Sequence, residues 1–405
     1  MSRIVLGVSG GIAAYKACEV LRRLREAGHD ITVVPTENAL RFVGETTFAA
    51  LSGRPVATDV FTGASGIPHV RLGREADLVL VVPATADLIA RQAAGRADDL
   101  LTNVLLTATC PVLLCPAMHT EMWQHPATRA NVETLRGRGV VVLDPASGRL
   151  AGADSGVGRL PEPAEIAETA QTLLDADVAG RASGHDLAGL AVVVSAGGTR
   201  EAVDPVRFVG NSSSGRMGAE IARAAALRGA RVTLVAAHLA VPPPSSVEVR
   251  RVSTTADLAV AMTELATDAD VVVMAAAPAD FTPRTTATAK LKKSGDAGMT
   301  LELVQTPDVL MSLTRSRHAG QTIVGFAAET LPDEQSLARA GHAKLMRKGA
   351  DLLVVNDVSD HKVFGMPDNR VLILDAAGVV DRVAASKAVV AHRILDAVLT
   401  HRATA

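Results

Sequence analysis

Short apolar runs alternate with amphipathic stretches along both halves of the chain. The first run, residues 4–8, ends in a glycine cluster and leads into a helical pattern from about 12 to 27, closed by Gly28. Further runs at 31–34, 78–82, 111–114 and 140–143 are separated by helical stretches near 86–94 and 127–138. Pro83 is expected to end the run before it. Runs without polar alternation suit strands buried on both faces, and strands alternating with helices predict a parallel sheet.

The rhythm then weakens. Residues 161–182 read as one polar helix rich in Ala, Glu and Asp, and the stretch 184–189 reads as a joint. At 191–195 the pattern restarts as strand, glycines, helix at 215–228 and strand at 232–235. Later strands are expected at 271–274, 323–326, 352–355 and 371–374. The expectation is an α/β protein with two Rossmann-like, parallel-sheet domains, 1–189 and 190–405. The halves share an opening rhythm but then diverge, so they are not an internal repeat.

Composition narrows the picture. Hydrophobic residues make up 48% of the 405 positions but aromatic ones only 2%, so the cores must be built from Ala, Val, Leu and Ile. Net charge is −2 with no Lys/Arg block, which gives no electrostatic footprint for nucleic acid. The cysteines Cys18, Cys110 and Cys115 lack metal-site spacing, and Cys115 follows an apolar run that points to the core. No signal-peptide pattern and no membrane-length apolar run is found, so a cytoplasmic protein that does not enter a membrane is expected.

Candidate chemistry sits where strands end. Ser9, Gly10, Gly11 and Ile12 fall at a strand-to-helix turn. Such a turn can bring backbone N–H groups to a phosphate, or can simply be tight. Its spacing is not G-x-G-x-x-G, which argues against an NAD-dependent dehydrogenase. Thr36 ends the second strand pattern, and Ala84, Thr85, Ala86 and Asp87 follow the third. Met118 and His119 follow the fourth, close to Trp123, in a segment that could equally be core. His69 stands in Ile67-Pro68-His69-Val70, where a structural histidine is the ordinary alternative to a functional one.

Together these segments resemble the homo-oligomeric flavin-containing cysteine decarboxylase family, over about residues 1–180. The resemblance implies a flavodoxin-like fold with one FMN per chain at a subunit interface of a trimer. The cradle would be Ser9 to Ile12, Thr36 and Ala84 to Asp87. It makes His69 the catalytic base, placed before a short strand. Met118, Asp154, Gly156 and Arg159 would contact substrate. The implied chemistry has a physical need. A carboxylate beside an amide has nowhere to put its electrons, and oxidation of the cysteine thiol to a thioaldehyde creates the sink that lets carbon dioxide leave. Two departures stand out. His119 replaces the family's Asn, expected to hold the substrate carboxylate, and can still donate a hydrogen bond. The family's flap cysteine, which protonates the enethiolate, has no counterpart near Gly152-Ala153. Asp154, Ser155, His119 or water are the candidate donors.

The second half offers Gly197-Gly198-Thr199 after a strand, then the run from Asn211 through Ser212, Ser213 and Ser214 to Gly215 before a helix. This is either a phosphate cradle or a capped helix. Asp280 ends another strand pattern and could meet a metal or a ribose. Lys290 lies ten residues further on, and Lys344 and Lys348 share one helix face. Residues 188–400 resemble the phosphopantothenoylcysteine synthetase domain of a fused bacterial protein. The resemblance implies that Asn211 handles the phosphopantothenate carboxylate, with Arg207 and Ser212 to Gly215 at the substrates. CTP would be bound by Asp280, Lys290, Phe326, Lys344 and Lys348, and by the stretch Pro307, Asp308, Val309 and Leu310. One magnesium ion would sit near Asp280. Lys290 is suited to charge that grows on the phosphate. The whole would be a bifunctional enzyme of coenzyme A biosynthesis. It would join 4′-phosphopantothenate to cysteine at the expense of CTP and then decarboxylate the product, working as a homo-oligomer, a dodecamer by family inference. A flavin-binding regulatory module fused to an active ligase is the alternative.

Overall fold

The computed structural model describes residues 1–404 apart from 60–66, 151–153, 175, 293–298, 332 and 358–367. The chain divides into two compact units, Met1–Asp186 and Leu187–Ala405.

In the first unit five strands form one parallel sheet. Their order across it is Asp30–Pro35, Arg3–Val8, Leu78–Ala84, Val112–Pro116 and Val141–Val142. This is the 2-1-3-4-5 order of flavodoxin-like folds, in which ligands gather where the order reverses, here beside Arg3–Val8. Leu78–Ala84 is buried along its whole length, as an apolar run covered on both faces must be. The helix Ala14–Glu26 buries Ala17, Val20, Leu21 and Leu24, one stripe at helical spacing. Trp123 and Cys115 lie in the core.

Four expectations change here. The third strand runs past Pro83 to Ala84, and the irregularity falls in its pairing instead, between Val81 and Ala84. The segment holding His69, expected just before a short strand, is instead the helix Pro68–Glu75. Pro68 occupies its first turn, where a missing N–H costs nothing. The stretch 161–182 forms two helices, Pro163–Leu173 and Ala176–Gly184, and the first is amphipathic, burying Ile166, Ala170 and Leu173. Residues around the expected flap form an antiparallel hairpin, Ala146–Arg149 with Ser155–Arg159, while Ala151, Gly152 and Ala153 lie outside the described residues.

The second unit holds an eight-stranded sheet. Its order is Glu248–Arg251, Arg231–Ala236, Ala191–Ala196, Val271–Met274, Thr322–Glu329, Leu352–Asp357, Asp368–Asp375 and Gly378–Ser386. The first six are parallel. The last two are antiparallel, so this sheet is mixed rather than purely parallel. A tight turn sets that pairing: Asp375 Oδ1 accepts from Ala377 N and Gly378 N, and Gly378 takes φ +136°. The order reverses between Ala191–Ala196 and Val271–Met274. The helix Arg216–Leu227 packs on the same end of Ala191–Ala196. A Cβ on Gly218 would come within 2.6 Å of Ala196 Cβ and 2.7 Å of Ser195 O.

A buried carboxylate ties one long loop to this unit. Asp204 is 2% exposed. Its oxygens accept from Val206 N at 2.8 Å, Arg207 N and Nη1 at 2.7 Å each, and Leu291 N at 3.1 Å. Arg207 Nη1 also donates to Leu291 O at 3.0 Å. Residue 291 is thereby fixed from both sides, one position from Lys290. Burial works to raise the Asp204 carboxyl, but the N–H donors and the Arg207 guanidinium outweigh it and hold it below its ordinary value.

Gly218→Val should cost roughly 1–3 kcal/mol through overpacking against backbone. An unchanged urea unfolding midpoint for the second unit would contradict the close helix–strand approach. Because the folded-state pKa of Asp204 is depressed, its anchoring is fully present above the ordinary carboxylate range and is lost as pH falls through the lower folded value. Proteolysis near Lys290 should therefore be constant from pH 8 to about 5 and rise in Asp204→Asn. Equal cleavage of the two proteins at neutral pH would refute the anchor.

Candidate functional site

In the first unit the candidate residues meet at the strand-order reversal. Ser9 Oγ donates to Pro83 O at 2.8 Å and accepts from Thr85 N at 2.9 Å, which locks the ends of two neighbouring strands together. Thr36 caps the helix Glu37–Leu40, and Thr85 caps Ala86–Ala93. Three helix or turn starts thus gather at neighbouring strand ends. Gly10 is pressed against Asn38, where a Cβ would sit 2.4 Å from Asn38 Cβ, while a Cβ on Gly11 would make ordinary contact with Thr85 Cγ2 at 3.5 Å. Ile12 is 63% exposed. Asp87 is turned away into an ion pair with Arg91.

The segment carrying Met118 and His119 is tied to these strand ends, since Ala117 N donates to Ala84 O at 3.2 Å. Met118 N donates to Gly158 O at 3.0 Å, and a Cβ on Gly158 would lie 2.1 Å from Met118 O. A Cβ on Gly156 would lie 2.2 Å from Thr120 Oγ1. The glycines of the hairpin therefore let it rest directly on residues 118–120. His119 is exposed and begins the helix Thr120–Gln124 without capping it. Asp154 is exposed. Arg159 is paired with Glu162, which also faces Lys16 at 3.8 Å. His69 Nδ1 is buried without a hydrogen-bond partner among the described residues. A buried ring nitrogen without a partner requires an explanation, and a bound group is one. The helix and turn starts gathered at these strand ends, with their free N–H groups, fit a phosphate-bearing flavin.

The second unit contains a cleft of about 900 Å³. It is lined by Asn211, Ser212, Ser213, Ser214, Gly215, Asp280, Pro307, Asp308, Val309, Leu310, Phe326, Lys344 and Lys348. These come from five segments far apart in sequence. Their convergence follows from the sheet, whose six parallel strands open their carboxyl ends on this side. Loop-to-loop bonds fix the floor: Ala277 N donates to Gly197 O at 2.8 Å, and Ala279 N to Thr199 Oγ1 at 2.8 Å. Asn211 Nδ2 donates to Pro278 O at 2.8 Å, which leaves its side-chain oxygen as acceptor at the mouth. Gly215, at φ +72°, starts the helix Arg216–Leu227 against Gly197 N.

The charges in the cleft are not equivalent. Lys344 Nζ donates to Glu329 at 3.0 Å, and Lys348 pairs with Asp308. Burial works to raise the Asp308 carboxyl, but Lys348 and the Met311 N–H overcome it and hold it below the carboxylate range. Asp280 is exposed. Among the described residues no group of three or more His, Cys, Asp or Glu could hold a metal. A divalent ion here would need phosphate oxygens and water beside a carboxylate, the usual manner of magnesium.

Two expected members stand apart. Lys290 is exposed and Arg207 is engaged with Asp204 and Leu291; neither lines the cleft. Among the lining residues that went unnoticed in sequence are Asn356, Asn369 and Lys387. Their local sequence carries no glycine cluster or motif. Only the sheet brings them in, since Asn356, Asn369 and Lys387 belong to the last strands and the last helix.

Comparison with known proteins agrees with this division. Residues 1–175 match the Flavoprotein family model, and residues 187–401 match the model described as DNA/pantothenate metabolism flavoprotein C-terminal domain. The coenzyme A biosynthesis bifunctional protein CoaBC of Mycobacterium tuberculosis H37Rv is 56% identical, with 98% of this chain and 96% of that protein covered. Its counterpart from Vibrio vulnificus CMCP6 is 39% identical, over 98% and 97%. A crystal structure of the C-terminal domain of a CoaBC protein is 32% identical over 52% of this chain and 94% of that one, with a TM-score of 0.43. No helix among the described residues is long and apolar enough to cross a membrane. The chain belongs to the CoaBC family of bifunctional coenzyme A biosynthesis proteins, in which a flavoprotein domain is followed by a DNA/pantothenate metabolism flavoprotein C-terminal domain.

Proposed function

We propose that the second unit joins 4′-phosphopantothenate to cysteine using CTP, and that the first unit decarboxylates the phosphopantothenoylcysteine so formed to 4′-phosphopantetheine using FMN. The observation that carries this is the meeting, in one cleft, of a serine-rich helix start, the Asp280 loop and the lysines of a distant helix. Such a cleft can hold a carboxylate and a nucleotide triphosphate side by side.

The ligase step begins from a poor electrophile, a free carboxylate. Its oxygen attacks the α-phosphorus of CTP, the bond to the β-phosphate oxygen breaks, and pyrophosphate leaves. The cysteine amine then displaces CMP from the acyl-cytidylate, and its proton passes to solvent. Asn211, whose side-chain amide donates to Pro278 O, would orient the carboxylate. Ser212 to Gly215 offer donors at a helix start, where anions are favoured. Asp280 and the phosphates would share the magnesium ion. Lys290 lies outside the cleft, on the loop that Asp204 and Arg207 hold, and would act from that loop as phosphate charge grows.

In the first unit, FMN, when bound, supplies the reversible two-electron chemistry that no side chain can supply. Ser9 to Gly11, Thr36, Thr85 and Ala86 would hold it. His69 would hold the proton of the substrate thiol. His119 would hold the carboxylate in place of the family's Asn. The hairpin carrying Asp154, Gly156 and Arg159 would cover the substrate. Trimeric contacts through this unit and dimeric contacts through the other would give a dodecamer.

His69→Asn should slow formation of 4′-phosphopantetheine by about 10²–10⁴-fold while leaving pyrophosphate release unchanged. Undiminished decarboxylation in that variant would remove His69 from the chemistry. Lys290→Gln and Asn211→Asp should each slow pyrophosphate release by at least about tenfold, with flavin absorbance untouched. Wild-type rates in both would overturn the ligase assignments.

A further inference from the structure

Next to the second-unit cleft lie three buried polar side chains, Thr199, Glu201 and Thr255, none of which lines it. Burying polar groups is costly unless each is bonded, and here the bonds run in one direction. Glu201 Oε1 accepts from Thr255 N at 2.8 Å and from Thr255 Oγ1 at 2.9 Å. Thr255 Oγ1 lies 2.9 Å from Thr199 Oγ1, and Thr199 Oγ1 accepts from Ala279 N at 2.8 Å. A carboxylate only accepts, and a hydroxyl has one proton to give. The other acceptor within reach of Thr255, Ala279 O at 3.3 Å, is already met by Thr306 Oγ1 at 2.6 Å. With the Thr255 proton given to Glu201, the Thr199 proton goes to Thr255, and Thr199 keeps its lone pairs for the Ala279 N–H. Thr255 also opens the helix Thr255–Ala266, so the carboxylate sits at a helix start, where negative charge is favoured.

The far end of this chain is part of the cleft, since Pro278 and Ala279 line it. Pro278 O accepts from Asn211 Nδ2 at 2.8 Å. One Nδ2 proton is thereby used, and the second is left for a substrate carboxylate. The backbone of Asn211 is set by the same strand end. A Cβ on Gly198 would lie 2.5 Å from Asn211 O, and one on Gly210 would lie 2.5 Å from Thr199 O. Asn211 is thus placed by its backbone against residue 198 and by its side chain against residue 278. The bonds that start at Glu201 join those two supports.

We propose that Glu201 is a positioning residue of the ligase reaction, which acts through Thr255 and Thr199 to fix Pro278 and Ala279 and so the direction in which Asn211 presents its carboxamide. This rests on the ligase reading above and adds to it residues that touch no substrate. A displacement of about 1 Å at a group that orients a reactant can cost about 10²-fold in rate, so a support outside the cleft has leverage on the chemistry.

The test compares the full-length wild type with Glu201→Leu, Thr255→Val and Thr255→Ser. Thr255→Val keeps the N–H that meets Glu201 and removes only the hydroxyl, so it carries the decision if Glu201→Leu does not fold. Two quantities are read: pyrophosphate release at saturating CTP and phosphopantothenate, and hydrogen exchange of the Ala279 amide with no ligand present. Glu201→Leu and Thr255→Val should each slow release about ten- to a hundredfold and speed Ala279 exchange, with Thr255→Ser close to wild type. In an Asn211→Ala background the same substitutions should cost about threefold or less, because the group they position is gone. A full penalty retained in that background, or Ala279 exchange as slow as in wild type, overturns the proposal. Wild-type protein that releases no pyrophosphate from CTP overturns the ligase reading instead, so the two failures are distinct.

Discussion

Both sites exist because strand order reverses once in each parallel arrangement. Neighbouring connections then leave toward opposite faces of the sheet, and the carboxyl ends of the two central strands are left without a covering loop. In the first unit this gap opens between Arg3–Val8 and Leu78–Ala84, and Ser9 bridges it with two hydrogen bonds. In the second it opens between Ala191–Ala196 and Val271–Met274, and Ser195 and Thr199 do the bridging. Helices that follow such strands point their N-termini into the gap. Backbone dipoles and free N–H groups are therefore aimed at an anion before any charged side chain is placed.

Side chains then refine what the backbone begins. Glycines allow the approach where a Cβ would collide: Gly10 against Asn38, Gly158 against Met118 and Gly218 against Ser195. In the larger cleft Lys344 and Lys348 are held by Glu329 and Asp308, which fixes their place at the cost of net charge. Asp204 plays a third part. It binds no ligand, yet it holds the loop that carries Lys290.

Much of this was legible in sequence, for an identifiable reason. Strands buried on both faces are written as unbroken apolar runs, and Val271–Met274 or Leu78–Ala84 cannot be mistaken for much else. The glycine turns and the Asn211 to Gly215 run mark strand and helix ends, so their role follows from position. What escaped lacks such a mark. The helix Pro68–Glu75 is short, and Pro68 in its first turn obscures it. The hairpin Ala146–Arg149 with Ser155–Arg159 is made of small and polar residues with no period. Lys387 and Asn369 enter the cleft only through the antiparallel strands and closing helix at the end of the chain, a placement that no local pattern encodes.

The most direct measurement follows both units in one vessel. The purified protein, with FMN bound, would receive 4′-phosphopantothenate, cysteine, CTP and magnesium, with products identified by mass spectrometry. The account predicts 4′-phosphopantetheine and carbon dioxide together with equal amounts of CMP and pyrophosphate. Accumulation of phosphopantothenoylcysteine without 4′-phosphopantetheine, or product formed without CMP, would contradict it.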